Sequence, residues 1–147
     1  MKLKLNINPK FKIPLISINA NKKSESIDQL FNDIKQLNNP LRLLGKRENK
    51  TKEIYLYQII RFFTLDKKVV CETNEDTYVV NKRIYELENE LPYKLFIRIS
   101  SSEIVSIKFI KDLEFTKSGS YKINLINNEY TYSSRRYIKK LKERLLK

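Results

Sequence analysis

From Ile54 to the C-terminus the chain is divided into short segments rich in Ile, Val, Tyr, Phe and Thr, the residue types that favour β-strands. Turn-forming sequences separate them, namely LDKK, TNED, KSGS and INNE, at a spacing typical of an antiparallel meander. The segments are 54–64, 68–73, 77–80, 95–100, 104–116, 121–126 and 130–132. This pattern predicts a mainly β fold whose core is an antiparallel sheet.

Two amphipathic segments predict helices inside and after this meander. Asn81 is in position to cap a short internal helix, and Pro92 ends it. Three apolar residues of that helix recur at helical spacing: Ile84, Leu87 and Leu91. A C-terminal helix follows residues 133–134, with Tyr137, Ile138, Leu141 and Leu145 on its apolar face. The predicted class is therefore α+β with an excess of strand.

Residues 1–45 predict a small segment of their own, made of strands followed by a helix. KLKLNIN and IPLISIN are predicted as strands. The helix starts at Ser24 as its N-cap and runs to about residue 37, where Asn38, Asn39 and Pro40 end it. The polar stretch GKRENKTKE, residues 45–53, has no apolar periodicity and is predicted to be a boundary or an exposed turn. We therefore predict two parts, 1–45 and 46–147.

The charge balance favours a polyanionic partner. Thirty Lys and Arg stand against 17 Asp and Glu, a net charge of +13, which attracts DNA, RNA or anionic lipid. A coding bias toward AT-rich codons is the competing explanation, because 22 of the 30 basic residues are Lys and the chain is rich in Asn and Ile. Charge alone does not decide between the two.

The side chains of most enzymes and metal sites are scarce in this sequence. The chain has no His, one cysteine, Cys71, and two glycines, which disfavours imidazole catalysis, zinc sites, disulfides and phosphate-binding loops. Glu86, Glu88 and Glu90 fit the solvated face of the internal helix. We expect no enzyme, no cofactor and no metal. No apolar run is long enough to span a membrane, and residues 1–8 do not resemble a signal peptide, so we expect a cytoplasmic protein.

Two basic clusters are candidates for contact with a nucleic acid. SSRRYIKKLKERLLK carries seven basic residues and one acidic residue. It is either the solvated face of a docked helix or, at Ser134, Arg135 and Arg136, a helix entrance that contacts phosphate or base edges. In FIRISSSEIVSIKFI, Arg98 precedes three serines, which form an ordinary turn or allow close approach to a DNA strand.

The ordered succession of FIRISSSEIVSIKFIKDLE, YKINL and YTYSSRRYIKKLKERL resembles the LytTR family of bacterial DNA-binding domains. The upstream segment IYLYQIIRFFTLDKKVVCETNEDTYVVNKRIYELENEL is similar to the family's opening strands and short helix. The resemblance covers residues 46–147. It implies an elongated, mainly antiparallel β fold that regulates transcription by binding promoter DNA through loops that enter successive major grooves.

The resemblance also implies roles for particular residues. The base-contacting loop between the opening strands corresponds to three residues: Asp66, Lys67 and Lys68. Ser101 corresponds to the polar position after the Arg98 motif, and Arg136 to the Arg beside the C-terminal helix. The implied phosphate contacts are Ser102, Lys117, Ser134 and Arg135. Many members carry Arg, Lys, His or Asn where this chain has Ser101, and Asn where it has Ser106, so we expect discrimination to depend on Arg136, which can pair bidentately with guanine.

Partners follow from the same resemblance. We expect double-stranded DNA with direct repeats, a homodimer on that DNA and, because residues 1–45 are too short for a receiver domain, an inhibitory membrane protein like those paired with free-standing members. One alternative is a nonspecific RNA-binding or ribosome-associated protein that stacks bases on its nine Tyr and seven Phe, although these aromatic residues also suit a sheet core. Another is a membrane-surface module built on the C-terminal helix, whose apolar face lacks Trp and Phe.

Overall fold

The chain forms three helices and ten strands in the residues that the computed structural model describes, 1–12, 14–37 and 42–146. These residues belong to two compact units, Met1–Lys35 and Gln36–Lys147. The helices are α1 (Glu25–Leu37), α2 (Ile84–Glu90) and α3 (Ile138–Leu145). The strands are β1 (Arg42–Arg47), β2 (Lys50–Tyr55), β3 (Ile59–Leu65), β4 (Lys68–Thr73), β5 (Thr77–Val80), β6 (Phe96–Ser100), β7 (Glu103–Ser106), β8 (Ile110–Phe115), β9 (Tyr121–Leu125) and β10 (Tyr130–Tyr132).

Two antiparallel sheets contain all ten strands. The larger sheet has the order β2-β1-β5-β4-β3-β7-β6, and the smaller has the order β10-β9-β8. Apart from the pairings of β1 with β5 and of β3 with β7, neighbouring strands are consecutive in the sequence. The predicted mainly β meander with two helices is therefore confirmed.

The seven-stranded sheet buries apolar residues on both faces. Ile59 and Phe62 of β3 pack in one cluster with Leu87 of α2. Ile60, which lies at a register shift in the same strand, packs in a second cluster with Ile123 of β9 and Leu141 of α3. Helix α2 therefore covers one face, while the smaller sheet and α3 cover the other.

Two of the predicted strand segments are interrupted by a 3₁₀ turn. Leu56–Gln58 divides the segment predicted at 54–64, and Ile107–Phe109 divides the one predicted at 104–116. The second turn lies where the chain passes from β7 in the larger sheet to β8 in the smaller one. A continuous strand would keep both halves in a single sheet, so the prediction of unbroken strands was wrong here.

The polar stretch at residues 45–53 belongs to a β-hairpin. β1 pairs with β2 and also with β5 of the larger sheet. Gly45 is buried in β1, and a Cβ at this position would collide with the side chains of Ile54 and Tyr78. The sheet thus begins at Arg42, ahead of the start predicted at residue 46, and the location of the domain boundary stays a prediction.

The N-terminal unit contains one regular element, α1. Ser24 Oγ accepts a hydrogen bond from the Ile27 amide at 3.3 Å, as expected of an N-cap. The predicted helix end at 38–40 lies outside the described residues. Residues 1–12 and 14–24 form no strand, so the prediction of strands in KLKLNIN and IPLISIN was wrong. A strand requires a second segment that pairs its backbone groups, and the sheet pairings of the described residues do not include these segments.

The two helices of the second unit dock through the predicted apolar residues. Ile84, Leu87 and Leu91 are buried in α2, and Leu141 in α3. The N-cap position of α2 is Arg83, so the prediction that Asn81 caps this helix was wrong. In the described residues no helix is both long and apolar enough to cross a membrane.

Candidate nucleic-acid interface

The β3–β4 turn presents the first group of predicted contact residues. Leu65 pairs with Lys68, which leaves a turn of two residues, Asp66 and Lys67. Both have positive φ, 49° and 63°, as in the type I′ turns that match the twist of antiparallel strands. Asp66, Lys67 and Lys68 are all exposed. The sheet therefore holds two lysines and one carboxylate on a short, rigid projection.

The β6–β7 turn presents the second group and is held by Arg98. Ser101 and Ser102 are exposed at its tip. The Arg98 guanidinium donates to the carbonyl oxygens of Ser100 and Ser101 at 3.0 and 2.9 Å, and to Glu88 Oε1 at 3.4 Å. Its side chain is only 16% exposed. Arg98, predicted as a DNA contact, thus holds the turn from inside the protein.

These two turns lie side by side. β3 pairs with β7 antiparallel, with Phe63 opposite Glu103. Beyond this pair, the Thr64 amide donates to the Ser102 carbonyl oxygen at 3.1 Å. The sheet register therefore places Ser101 and Ser102 next to the Asp66 turn, although about 35 residues separate them in the chain.

The 3₁₀ turn Arg135–Tyr137, which leads into α3, lies beside the end of β6. The Ser134 amide donates to the Ile99 carbonyl oxygen at 2.9 Å. The Arg135 Nε donates to the Ser118 carbonyl oxygen at 2.9 Å, in the β8–β9 turn that also carries Lys117. One backbone bond and one side-chain bond therefore bring the helix entrance and the KSGS turn to the serine turn.

Arg136 differs from the two other arginines of this region. Its side chain is exposed and makes no hydrogen bond or ion pair with any residue in the part of the chain that the structure describes. Arg98 and Arg135, by contrast, donate to backbone carbonyl oxygens. Of the three guanidinium groups, that of Arg136 is the most available to a ligand.

The structure thus brings the ten predicted residues to four neighbouring loops at one end of the sheets. Five exposed cations, Lys67, Lys68, Lys117, Arg135 and Arg136, stand there against one predicted carboxylate, Asp66. The exposed hydroxyls of Ser101 and Ser102 lie among them. Such a surface attracts the phosphates of a nucleic acid and offers donors to its base edges.

A fifth segment, residues 81–83 between β5 and α2, also adjoins these loops and was not predicted from the sequence. Val80 pairs with Val69, which places this segment next to Lys68. Asn81 and Arg83 are exposed, whereas Lys82 pairs with Glu90. The signal was present as a polar Asn-Lys-Arg run directly after an apolar strand, but only the pairing of β4 with β5 shows that it adjoins the lysine turn.

The family model of the LytTr DNA-binding domain matches residues 49–146, more than half of the chain. This chain belongs to the LytTR family. A protein of Staphylococcus aureus strain MSSA476 named "Uncharacterized HTH-type transcriptional regulator" is 37% identical over 145 residues, covering 99% of this chain and 98% of its own. A protein of the same description from strain MRSA252 is 36% identical over the same length.

A solved structure has the same fold. It is the LytTr DNA-binding domain of a putative methyl-accepting/DNA response regulator from Bacillus cereus, with a TM-score of 0.68 and 22% sequence identity. The match covers 71% of this chain and 95% of the other. The relatives are named HTH-type, yet in the described residues of this LytTR protein five strands separate α2 from α3, so these two helices form no helix-turn-helix.

Behind the loops of this LytTR domain lies a cluster of charged residues between the two sheets. Arg61 of β3 pairs with Glu72 of β4, with Glu103 of β7 at 3.2 Å and with Glu129 at 3.7 Å. The Thr131 hydroxyl of β10 donates to Glu103 Oε2 at 2.7 Å. Glu103 directly follows the serine turn, so this cluster ties the turn to the smaller sheet.

Burial sets the electrostatics of this cluster. The Arg61, Glu72 and Glu103 side chains are between 12% and 15% exposed. Burial raises the pKa of Glu103, and hydrogen bonds from Thr131 and Arg61 offset this only in part. Burial lowers the pKa of Arg61, but Glu72 and Glu103 together raise it above its ordinary value. Arg61 is therefore a charged link whose loss would leave two carboxylates without their cation.

Helix α3 of the LytTR domain uses its basic residues in two ways. Lys139 and Lys142 are exposed, as expected for a solvated face. Arg144 instead donates to the carbonyl oxygens of Phe96, at 3.0 Å, and Tyr93. The length of the Arg144 side chain lets it reach back to the chain around β6 and fasten the helix there.

Proposed function

We propose that this LytTR protein regulates transcription by binding promoter DNA in a sequence-dependent manner, with the loops at one end of its sheets entering successive major grooves. The observation that carries the proposal is the meeting of four loops that are far apart in the sequence, one of which carries the exposed Arg136. Membership of a family of DNA-binding domains supports double-stranded DNA as the ligand.

The contacts fall into two classes. Arg136 and the turn of Asp66 and Lys67 would contact base edges, because a major groove about 12 Å wide admits a two-residue turn or the entrance of a helix. The phosphate contacts would come from Lys68, Ser102, Lys117, Ser134 and Arg135. Ser101 adds a hydroxyl that donates to or accepts from any base and so discriminates little.

Arg98 has a different part in this proposal. Its guanidinium is engaged with two carbonyl oxygens of the serine turn and with Glu88. It would therefore position Ser101 and Ser102 for DNA without reaching the DNA itself. The hydrogen bonds of Arg98 to these carbonyl oxygens and its low side-chain exposure support this positioning role over direct contact with DNA.

The proposal is tested by fluorescence anisotropy with two duplexes, one from the region upstream of the protein's own gene and one with the same sequence shuffled, each titrated across a range of salt concentrations. We expect a preference for the native duplex that persists at physiological salt. Equal binding to both duplexes that disappears as salt rises would overturn the proposal of sequence-dependent DNA binding, since charge alone gives that result.

The partners and location of the protein are further parts of the proposal. A second copy would occupy the neighbouring repeat of a direct-repeat promoter in the cytoplasm, and a membrane protein would restrain the regulator. Both partners rest on the family resemblance. Coexpression with the neighbouring genes followed by a pull-down tests the second partner, and recovery of no membrane protein would contradict it.

A further inference from the structure

The N-terminal unit exposes a regular row of apolar side chains. Three residues of KLKLNIN alternate with polar residues and are almost completely exposed: Leu3 at 101%, Leu5 at 84% and Ile7 at 85%. In an extended chain such alternation puts all three on one face and Lys2, Lys4 and Asn6 on the other. The segment therefore has the side-chain pattern of a strand covered on one side.

The same segment has no partner for its backbone. In the described residues, the backbone–backbone bond that involves this segment is made at its end, where the Phe11 amide donates to the Asn8 carbonyl oxygen at 3.0 Å. A strand and its apolar face are stable in water only with further strands or a covering helix. Within the described residues of this unit, residues 2–8 thus have neither a paired strand for their backbone nor a segment that buries their apolar face.

Helix α1 also has an apolar face that is incompletely buried. Its apolar residues Ile27, Leu30 and Ile34 are only partly buried, and Phe31 is 58% exposed. A unit of 35 residues is below the size at which a chain ordinarily closes a hydrophobic core by itself. The helix and the extended segment both have apolar faces that lack a complete partner inside the unit.

We propose that residues 1–35 form a dimerisation element completed by the same element of a second copy. This inference rests on the proposed function, which calls for two copies on DNA, and assigns the contact between them to this unit. An extended segment that pairs antiparallel with its own copy satisfies a two-fold axis between the two N-terminal units alone, because each of their residues then meets its counterpart reciprocally. Leu3, Leu5 and Ile7 of both copies fall on one face of that ribbon, where α1 can cover them.

The available apolar surface is of the size that a dimer needs. Eight large apolar side chains among the described residues of this unit are about half exposed or more: Met1, Leu3, Leu5, Ile7, Phe11, Leu15, Ile16 and Phe31. In proportion to their exposure they represent roughly 400–750 Å² of apolar surface per copy. A standard interface buries about 800 Å² per partner. Together these side chains supply about half to nearly all of this area before any polar contact is counted.

The relatives show that this unit is shared. The Staphylococcus aureus proteins align over 145 residues, 99% of this chain and 98% of their own length, so the alignment includes all but at most two of residues 1–35. The family model of the DNA-binding domain starts only at residue 49. A segment that lies outside that domain and yet accompanies it in the relatives fits a role in joining copies.

A dimer of this kind would change DNA binding without contacting DNA. Linking two LytTR domains makes the second half-site contact intramolecular, which raises apparent affinity for a paired site by about 100-fold or more when the geometry permits. The element carries seven lysines against three acidic residues in 1–35. Its self-association should therefore strengthen as salt screens like charges, whereas DNA binding weakens.

The test measures mass by light scattering over a range of protein and salt concentrations, without DNA, for the full chain and two variants. Leu5→Lys places a charge on the apolar face, and Asn6→Lys places the same charge on the adjacent, polar face as the matched control. We expect a dimer for the wild type and Asn6→Lys, favoured by salt, and a monomer for Leu5→Lys.

Each protein is also titrated with a duplex that carries one half-site and with one that carries two. Equal affinity of all three for one half-site, with a selective loss for Leu5→Lys on two, supports the inference. A monomeric wild type overturns the inference even if it binds one half-site. If that monomer co-sediments with anionic phospholipid vesicles, the apolar face binds lipid instead of a second copy. Failure of the wild type to prefer the native half-site counts against the proposed function instead.

Discussion

KLKLNIN at residues 2–8 and YKINL in β9 have the same alternation of apolar and polar residues, yet they differ in burial. Tyr121, Ile123 and Leu125 of β9 are almost completely buried. Leu3, Leu5 and Ile7 are almost completely exposed. β9 lies between β8 and β10, and α3 and the larger sheet cover its apolar face. Alternation thus identifies the apolar face of a segment, but a partner decides whether that face is buried.

The largest expected difference between these regions is in stability. Ile123→Ala leaves a cavity in a fully enclosed site and should lower the free energy of unfolding by about 4 kcal/mol. Leu5→Ala, on an exposed side chain, should change the unfolding of the LytTR domain by less than about 0.5 kcal/mol. Urea denaturation followed by circular dichroism measures both. Similar losses for the two variants would break the comparison.

The charged cluster between the sheets should give the next largest effect. Arg61→Met removes the cation shared by Glu72 and Glu103 and should cost about 3 kcal/mol, because two largely buried carboxylates lose their partner. Arg42→Met removes an exposed pair with Glu53 and serves as the control. Urea midpoints for the two variants are compared at equal slope. An equal, small effect of both would show that the cluster does not hold the sheets together.

Substitutions in the second unit should change the free energy of DNA binding by less than the stability effects above, and by different amounts at Arg136 and Lys139. Arg136→Ala should lose roughly 1–3 kcal/mol of binding together with discrimination at one base position, if its fork pairs with guanine. Lys139→Ala, one turn further along and exposed, should lose less and without a change in specificity. Anisotropy with single-base variants of the duplex measures both. A loss of general affinity alone would make Arg136 a phosphate contact.

The smallest expected effect is a pH dependence from Glu103. Its folded-state pKa is raised, so its contribution favours folding below the unfolded-state value, near 4.3, and is lost as pH rises through the folded-state value. Glu103→Gln fixes the neutral form. Its stability relative to the wild type should therefore rise across that pH window and then level off. Urea denaturation at several pH values tests this, and a constant difference would contradict it.

Some elements of the second unit could be predicted from the sequence and others could not. The periods of two and of 3.6 residues located most strands and both helices of the second unit, because each period follows from the geometry of its own backbone. The β1–β2 hairpin was not predicted from the sequence, because its residues are mostly polar and exposed and only Gly45 and Ile54 are buried. The 3₁₀ turn between β7 and β8 was not predicted, because a change from one sheet to another leaves the apolar residues on either side unaltered.

The candidate site was predicted residue by residue from a family resemblance, but the roles of its arginines were not separable in the sequence. Arg98, Arg135 and Arg136 carry the same group. The acceptors that the fold places within reach distinguish them, since Arg98 meets two turn carbonyls, Arg135 meets one in the next turn, and Arg136 meets none among the described residues.

The sequence by itself determined the class of the fold, the apolar face of each segment and the positive charge, since all three depend on residue types and their spacing. The tertiary structure decided which loops meet, which cations remain exposed and which apolar faces lack cover. These properties depend on backbone hydrogen bonds and contacts between residues distant in the chain, such as Thr64 with Ser102 and Arg61 with Glu103. Local periodicity carries no information about such partners.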